Sequence, residues 1–105
     1  MHEDRPSGPA DIVGTWTLYG PTGQACELVL LETIAEPRAA GSVPPEMRGA
    51  RMTGDCGMER RIGGWRMEGA DLVLVDHYGM AVSSLAPDGE GGYQQPDAGV
   101  RLRRP

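Results

Sequence analysis

From position 14 onward, apolar residues recur at every second position in short runs, the pattern of strands that bury one face and expose the other. Trp16 and Leu18 alternate with Thr15 and Thr17, and Cys26, Leu28 and Leu30 share one face of the following run. The alternation predicts strands over residues 14–19, 26–33, 50–53, 59–62, 64–68, 72–75, 80–85, 92–94 and 100–103. Turn signals fall between them: Gly20-Pro21-Thr22-Gly23, Gly54-Asp55, Gly69-Ala70 and Asp76-His77-Tyr78-Gly79. Residues 35–48 are rich in Pro and Ala, carry no period and predict a long loop. Strands this short, spaced roughly 8–12 residues apart, argue for a sandwich or a barrel. Tight antiparallel connections make an up-and-down barrel of eight or nine strands the simplest arrangement. Closing the barrel also removes the edge strands that invite aggregation. The expected fold is therefore all-β.

The chain before the first run behaves differently. Residues 1–9 are polar and hold Pro6 and Pro9, which predicts an arm. Ser7 or Gly8 as cap, with Pro9 at the first helical position, suits a single helical turn before Ile12 and Val13. The organisation is an N-terminal arm over residues 1–13 and one barrel domain over 14–105, with no internal repeat.

Composition sharpens this picture. There are 16 Gly and 9 Pro in 105 residues, which favours frequent turns and opposes long helices. Phe is absent, and Trp16, Trp65, Tyr19, Tyr78 and Tyr93 are the only aromatic residues, so Val, Leu, Ile and six Met must fill the core. Net charge is −5 and there is no Lys. Without a basic stripe to neutralise phosphates, nucleic acid is excluded as a partner. Arg101, Arg103 and Arg104 alternate around Leu102 and read as the outer face of the last strand. No apolar run reaches the roughly 18 residues that a membrane-spanning helix needs.

Cys26 and Cys56 are the only cysteines. Neither lies in a Cys-x-x-Cys pair, and His2 and His77 are remote from both in sequence, so neither a metal site nor a cofactor is expected. Two Cys in a small, core-poor domain suit a disulfide in an oxidising compartment, the alternative being two unrelated buried thiols. The start, Met1-His2-Glu3-Asp4-Arg5, has no apolar segment of the signal-peptide type. A disulfide therefore implies a periplasmic or secreted protein whose export signal was removed, with Met1 added.

Catalytic constellations are weak. Asp76-His77 with Ser83 or Ser84 invites a triad, but the pair lies in a turn that wants Asp and Gly for backbone reasons. Neither Ser sits in a nucleophile elbow. Gly63-Gly64 and Gly89-Glu90-Gly91-Gly92 precede no helix and read as turns rather than phosphate loops. The sequence does not read as an enzyme. Gly14-Thr15-Trp16 suggests a Trp whose ring closes one end of a small barrel.

An ordered set of motifs resembles the bacterial metalloprotease inhibitor family, whose members block secreted serralysin-type zinc proteases. Gly14-Thr15-Trp16-Thr17-Leu18 resembles the family's opening strand, Cys26-Glu27-Leu28-Val29-Leu30 its first Cys strand, and Gly54-Asp55-Cys56 its second Cys. Trp65, then residues 69–79 with Leu72-Val73-Leu74 and Gly79, resemble its Trp, acidic turn and following strand, and Gly92-Tyr93 its last motif. The resemblance covers residues 14 to 104. It implies a lipocalin-like eight-stranded barrel with a Cys26–Cys56 disulfide, acting as a monomer on a secreted zinc metalloprotease. It further implies that the arm enters the protease cleft, which assigns contact to His2, Glu3, Asp4, Arg5 and Pro6. Two other functions share the fold: an envelope module, including a lipoprotein branch of the same family, and a small-molecule binder of the lipocalin or avidin type.

Overall fold

Residues that alternate in polarity along the chain alternate in burial in the computed structural model, which describes residues 12–34 and 47–105. Eight strands form in chain order: β1 Gly14–Tyr19, β2 Ala25–Ile34, β3 Arg48–Thr53, β4 Gly64–Glu68, β5 Asp71–Val75, β6 Ala81–Pro87, β7 Tyr93–Gln95 and β8 Val100–Arg103. A short 3₁₀ helix, Pro96–Ala98, precedes β8. Each strand pairs antiparallel with the next, and β8 returns to β1 through Thr17↔Arg103, Leu18↔Leu102 and Tyr19↔Arg101, so the barrel is closed.

The inward positions are mostly leucines, with two Trp, and come from β1, β2, β4, β5, β6 and β8. Leu18, Leu28, Leu30, Leu72, Leu74, Leu85 and Leu102 lose all contact with solvent, and Trp16 and Trp65 nearly all. An eight-stranded barrel is just wide enough for side chains to fill it. Among the described residues, the interior is occupied by these side chains, which form one continuous hydrophobic cluster. The seam between β3 and β4 is short, only Arg48↔Trp65 and Gly49↔Gly64. Trp65 reinforces it by donating its indole N–H to the Leu31 carbonyl on β2, at 3.0 Å.

β5 is buried on both faces, which explains its unbroken apolar run. Leu72 and Leu74 point into the barrel, while Val73 and Val75 join Met47 in a second cluster. Met47 reaches this place because Gly64, opposite Val75, has no side chain. A Cβ there would collide with Met47 and with the Arg48 carbonyl.

The predicted strand over 59–62 does not form. Residues 54–63 are an irregular connection held by side chains instead of a ladder. Arg61 donates to the Gly54 and Met52 carbonyls, and Arg60 to the Ala81 carbonyl. Ile62 anchors the segment in the core, and Asp55 accepts the Gly57 N–H at 2.9 Å. Cys56, buried in the same segment, bonds to Cys26 at the start of β2. The bridge closes a loop with a sequence separation of 30. In the chain-entropy model such a loop is worth roughly 3–4 kcal/mol.

Antiparallel alternation sorts the connections between two ends. The Cys26–Cys56 bridge, the Asp76 turn and the 3₁₀ helix lie at one end. The opposite end gathers the start of β1, the β4–β5 and β6–β7 hairpins and the last residues of the chain. This second end, the mouth, is where Ile12 leads into β1.

Candidate functional site

The sequence assigns contact with a protease to His2, Glu3, Asp4, Arg5 and Pro6, and all five lie outside the described residues, as does the helical turn expected over 7–11. The description starts at Ile12, and there the chain is firmly held. Ile12 is helical and 2% exposed. Its carbonyl accepts the Trp16 indole N–H at 2.7 Å, a buried bond between residues four apart. Trp16, itself 2% exposed, meets the Tyr93 ring edge to face at a centroid distance of 6.0 Å. The Arg104 guanidinium lies 3.9 Å from the Trp16 ring centroid. Such stacking contributes about 0.5–2 kcal/mol, depending on desolvation. The root of the arm is therefore clamped to one aromatic side chain, which is itself wedged between β7 and the end of β8.

Around this clamp lies a half-open cavity of about 450 Å³. Its walls are Ile12, Trp16, Tyr93, Met67 and Pro87, with Arg104 at its edge and the Gly69-Ala70 and 89–92 turns as rim. The first turn is a two-residue hairpin closing on Glu68↔Asp71. Gly69 has φ +64°, as the first position of a type II′ turn requires.

The other rim turn is organised by Asp88. Its Oδ1 accepts the Glu90 N–H at 2.7 Å and the Gly92 N–H at 3.0 Å. Arg103 approaches Asp88 and Glu90 at 3.8 Å each. The Glu90 amide is the main cause that holds the Asp88 carboxyl below the usual carboxylate range; the Gly92 amide and Arg103 add to it against a desolvation that acts the other way. A carboxylate whose pKa is lowered by folding adds stability above its unfolded pKa and loses it as pH falls through the folded value. The melting temperature should thus hold through mild acid and fall below the usual carboxylate range. Asp88→Asn should lower it at neutral pH and flatten the acid limb, so that the two curves converge in strong acid. Thermal melts of both proteins against pH check this, and parallel curves would exclude the role.

The triad candidates do not assemble. Asp76 is buried and accepts the Tyr78 and Met80 N–H groups, each at 2.9 Å, while Arg60 pairs with its other oxygen at 3.5 Å. His77 packs over Gly63. Ser83 is buried and bonded to the Gln95 side chain at 2.6 Å, whereas Ser84 is exposed. Asp76 is therefore the lock of a turn. Among the described residues no group of three or more His, Cys, Asp or Glu is placed to hold a metal ion.

The basic cluster also divides. Arg101 stays on the outer face beside the Tyr19 ring, at 5.4 Å. Arg103 serves the Asp88 turn, and Arg104 leaves the strand to cover Trp16. The role of Arg104 was hidden in the sequence because alternation continues past the last paired residue. Ile12, four residues before Trp16 and apolar, was the available signal for the clamp.

Compared with known families, the chain matches the family model described as Protease inhibitor Inh over residues 7–102. No curated protein matches it.

Proposed function

The chain belongs to the protease inhibitor Inh family, and from that premise we propose that it blocks a secreted zinc metalloprotease of the serralysin type by placing residues 2–6 in the protease cleft. The family is one of inhibitors and not of enzymes, and the partner is a protease. The observation that carries the finer reading is the clamp: the Ile12 carbonyl on the Trp16 indole at 2.7 Å. An extended segment can add backbone hydrogen bonds to the edge of a cleft. It binds well only if little freedom is lost on docking, and a root fixed to a closed barrel reduces that loss. An amine or carbonyl near the tip has the chemistry to occupy the open coordination position of a catalytic zinc. The Cys26–Cys56 bridge supports a periplasmic or extracellular place of action, because such bonds persist under oxidising conditions.

Titration of the full chain against a panel of secreted zinc proteases, with serine and cysteine proteases as controls, tests the proposal. Stoichiometric inhibition confined to one or more zinc enzymes is expected. Inhibition of a control protease alone, or of no protease in the panel, would overturn it.

A further inference from the structure

Two turns of the barrel carry the same hydrogen bonds at opposite ends. In the β5–β6 turn, Asp76 accepts the N–H groups of Tyr78 and Met80, each at 2.9 Å, and donates its own N–H to the Met80 carbonyl at 2.9 Å. In the β6–β7 turn, Asp88 accepts the N–H groups of Glu90 and Gly92, at 2.7 and 3.0 Å, and donates its own N–H to the Gly92 carbonyl at 3.0 Å. A glycine stands fourth in each turn, with φ +87° at Gly79 and +89° at Gly91. Each carboxylate turns its second oxygen to one arginine, Arg60 for Asp76 at 3.5 Å and Arg103 for Asp88 at 3.8 Å. What each turn delivers differs. The Asp76 turn ends in Met80 and Ala81, both exposed, whereas the Asp88 turn ends in Gly92 and Tyr93, both buried. A Cβ at Gly92 would lie 2.7 Å from the Leu102 carbonyl and 2.8 Å from Asp88 Oδ2, so the backbone there is held between the carboxylate and β8. Tyr93, the next residue, meets the Trp16 ring at 6.0 Å, and the Trp16 indole donates to the Ile12 carbonyl.

We infer that Asp88 is a positioning residue for inhibition: its carboxylate seats Tyr93 against Trp16 and thereby fixes Ile12, the root from which the arm leaves the barrel. The inference rests on the arm reading proposed above and extends it to a residue on the far side of the mouth. The path of contacts is short. Asp88 binds the Gly92 N–H, Gly92 joins Tyr93 through the backbone, Tyr93 packs edge to face on Trp16, and Trp16 holds Ile12. Trp16 and Tyr93 are 2% and 7% exposed, and side chains packed this closely pass on a displacement instead of absorbing it. Hydrogen bonds to a carboxylate are stronger than those to a neutral acceptor, so the turn depends on Asp88 for its shape. An arm whose root moves loses more freedom on docking, and its binding weakens. Asp76 makes the same bonds where they deliver no buried ring, so its turn contributes stability without reaching the arm.

The matched turns make the test internally controlled. Asp88→Ala and Asp76→Ala each remove one carboxylate acceptor, while Asp88→Asn and Asp76→Asn keep a neutral carbonyl in its place. Hydrogen exchange of the two indole N–H groups is followed by NMR on the ¹⁵N-labelled full chain, and the inhibition constant is measured against one susceptible zinc protease. Trp65, whose indole donates to the Leu31 carbonyl and does not line the mouth cavity, is the reference for opening elsewhere in the barrel. In Asp88→Ala the Trp16 indole should exchange roughly tenfold faster relative to Trp65, and inhibition should weaken by roughly tenfold. Asp88→Asn should fall between Asp88→Ala and the parent in both readouts. Asp76→Ala should lower the melting temperature yet leave the ratio of the two exchange rates and the inhibition constant as in the parent. The Asn pair carries the comparison if an Ala variant does not fold. Equal acceleration of both indoles in the Asp88 variants, the same selective effect in the Asp76 variants, or parental inhibition by the Asp88 variants would overturn the assignment. If the parent inhibits no protease, the arm reading falls, and the exchange ratio alone decides whether Asp88 holds Trp16 and Ile12 in place.

Discussion

Deleting residues 1–6 is expected to weaken inhibition of a susceptible zinc protease by orders of magnitude and to leave the melting temperature nearly unchanged. After Met1 the segment reads His2-Glu3-Asp4-Arg5-Pro6, with no residue suited to a core. The barrel core described here is closed by Ile12, Trp16 and the strand leucines, all downstream of the cut. Removing a terminal segment costs stability in proportion to the buried contacts it makes, and a polar segment makes few. Binding energy is distributed differently, because a few residues seated in a cleft dominate the affinity of most interfaces. A shorter cut sharpens the result. Removing Met1 alone would give His2 the free amine, and inhibition should strengthen if that amine meets the zinc. Melting temperature and inhibition constant, measured on the intact, Met1-less and truncated chains, decide the matter. A truncated barrel that inhibits as well as the intact chain would mean that the barrel surface carries the inhibition. In that event the partner would still be a protease but the arm reading would be abandoned.

The two halves of this argument were unequally legible in the sequence. The barrel could be read because burial follows a strict period of two: β1, β4 and β8 match the predicted spans, and the strand faces follow Cys26, Leu28 and Leu30 as expected. The disulfide between Cys26 and Cys56 forms as expected. The failure at 59–62 has a physical cause. Glu59-Arg60-Arg61-Ile62 has strand-like alternation at Ile62, but Gly54 and Gly57 adopt positive φ before it and the two arginines satisfy distant carbonyls. Periodicity reports which side chains are buried, and one buried Ile satisfies it in a loop as well as in a strand. The mouth was harder to read. Its parts are Ile12, Trp16, Tyr93 and Arg104, which meet only because the barrel closes β8 onto β1. No local pattern records a contact made by ring closure. The turn at Asp76 shows the converse: a sequence that suggests chemistry supplies a lock of two backbone hydrogen bonds.

Trp16→Ala is expected to destabilise the fold by about 3–5 kcal/mol, the range for large-to-small changes at fully buried aromatic positions. The substitution removes several contacts at once. The ring is 2% exposed, so its apolar area returns to water or leaves a void. Tyr93 loses its edge-to-face partner and Arg104 its stacking surface. The Ile12 carbonyl, in a residue also 2% exposed, loses its donor at 2.7 Å. Losses centred on one side chain are not additive, so the single-site range is used and the contacts are not summed. For a domain of this size, such a loss lowers the melting temperature by roughly 10 °C or more. Stability alone would not separate a packing role from the clamp, and Trp16→Phe does so. Phe keeps most of the apolar bulk and offers Arg104 a ring, but it has no N–H for Ile12. Its melting temperature should fall by much less than that of the Ala variant. Its inhibition should fall further than the stability change explains, because the arm then leaves the barrel from an unfixed root. The paired readout is the melting temperature and inhibition constant of both variants against one susceptible protease. If Trp16→Ala melts like the parent, Trp16 does not hold the mouth together. If Trp16→Phe inhibits like the parent, the Ile12 bond is structural only, and the arm needs no clamp to act.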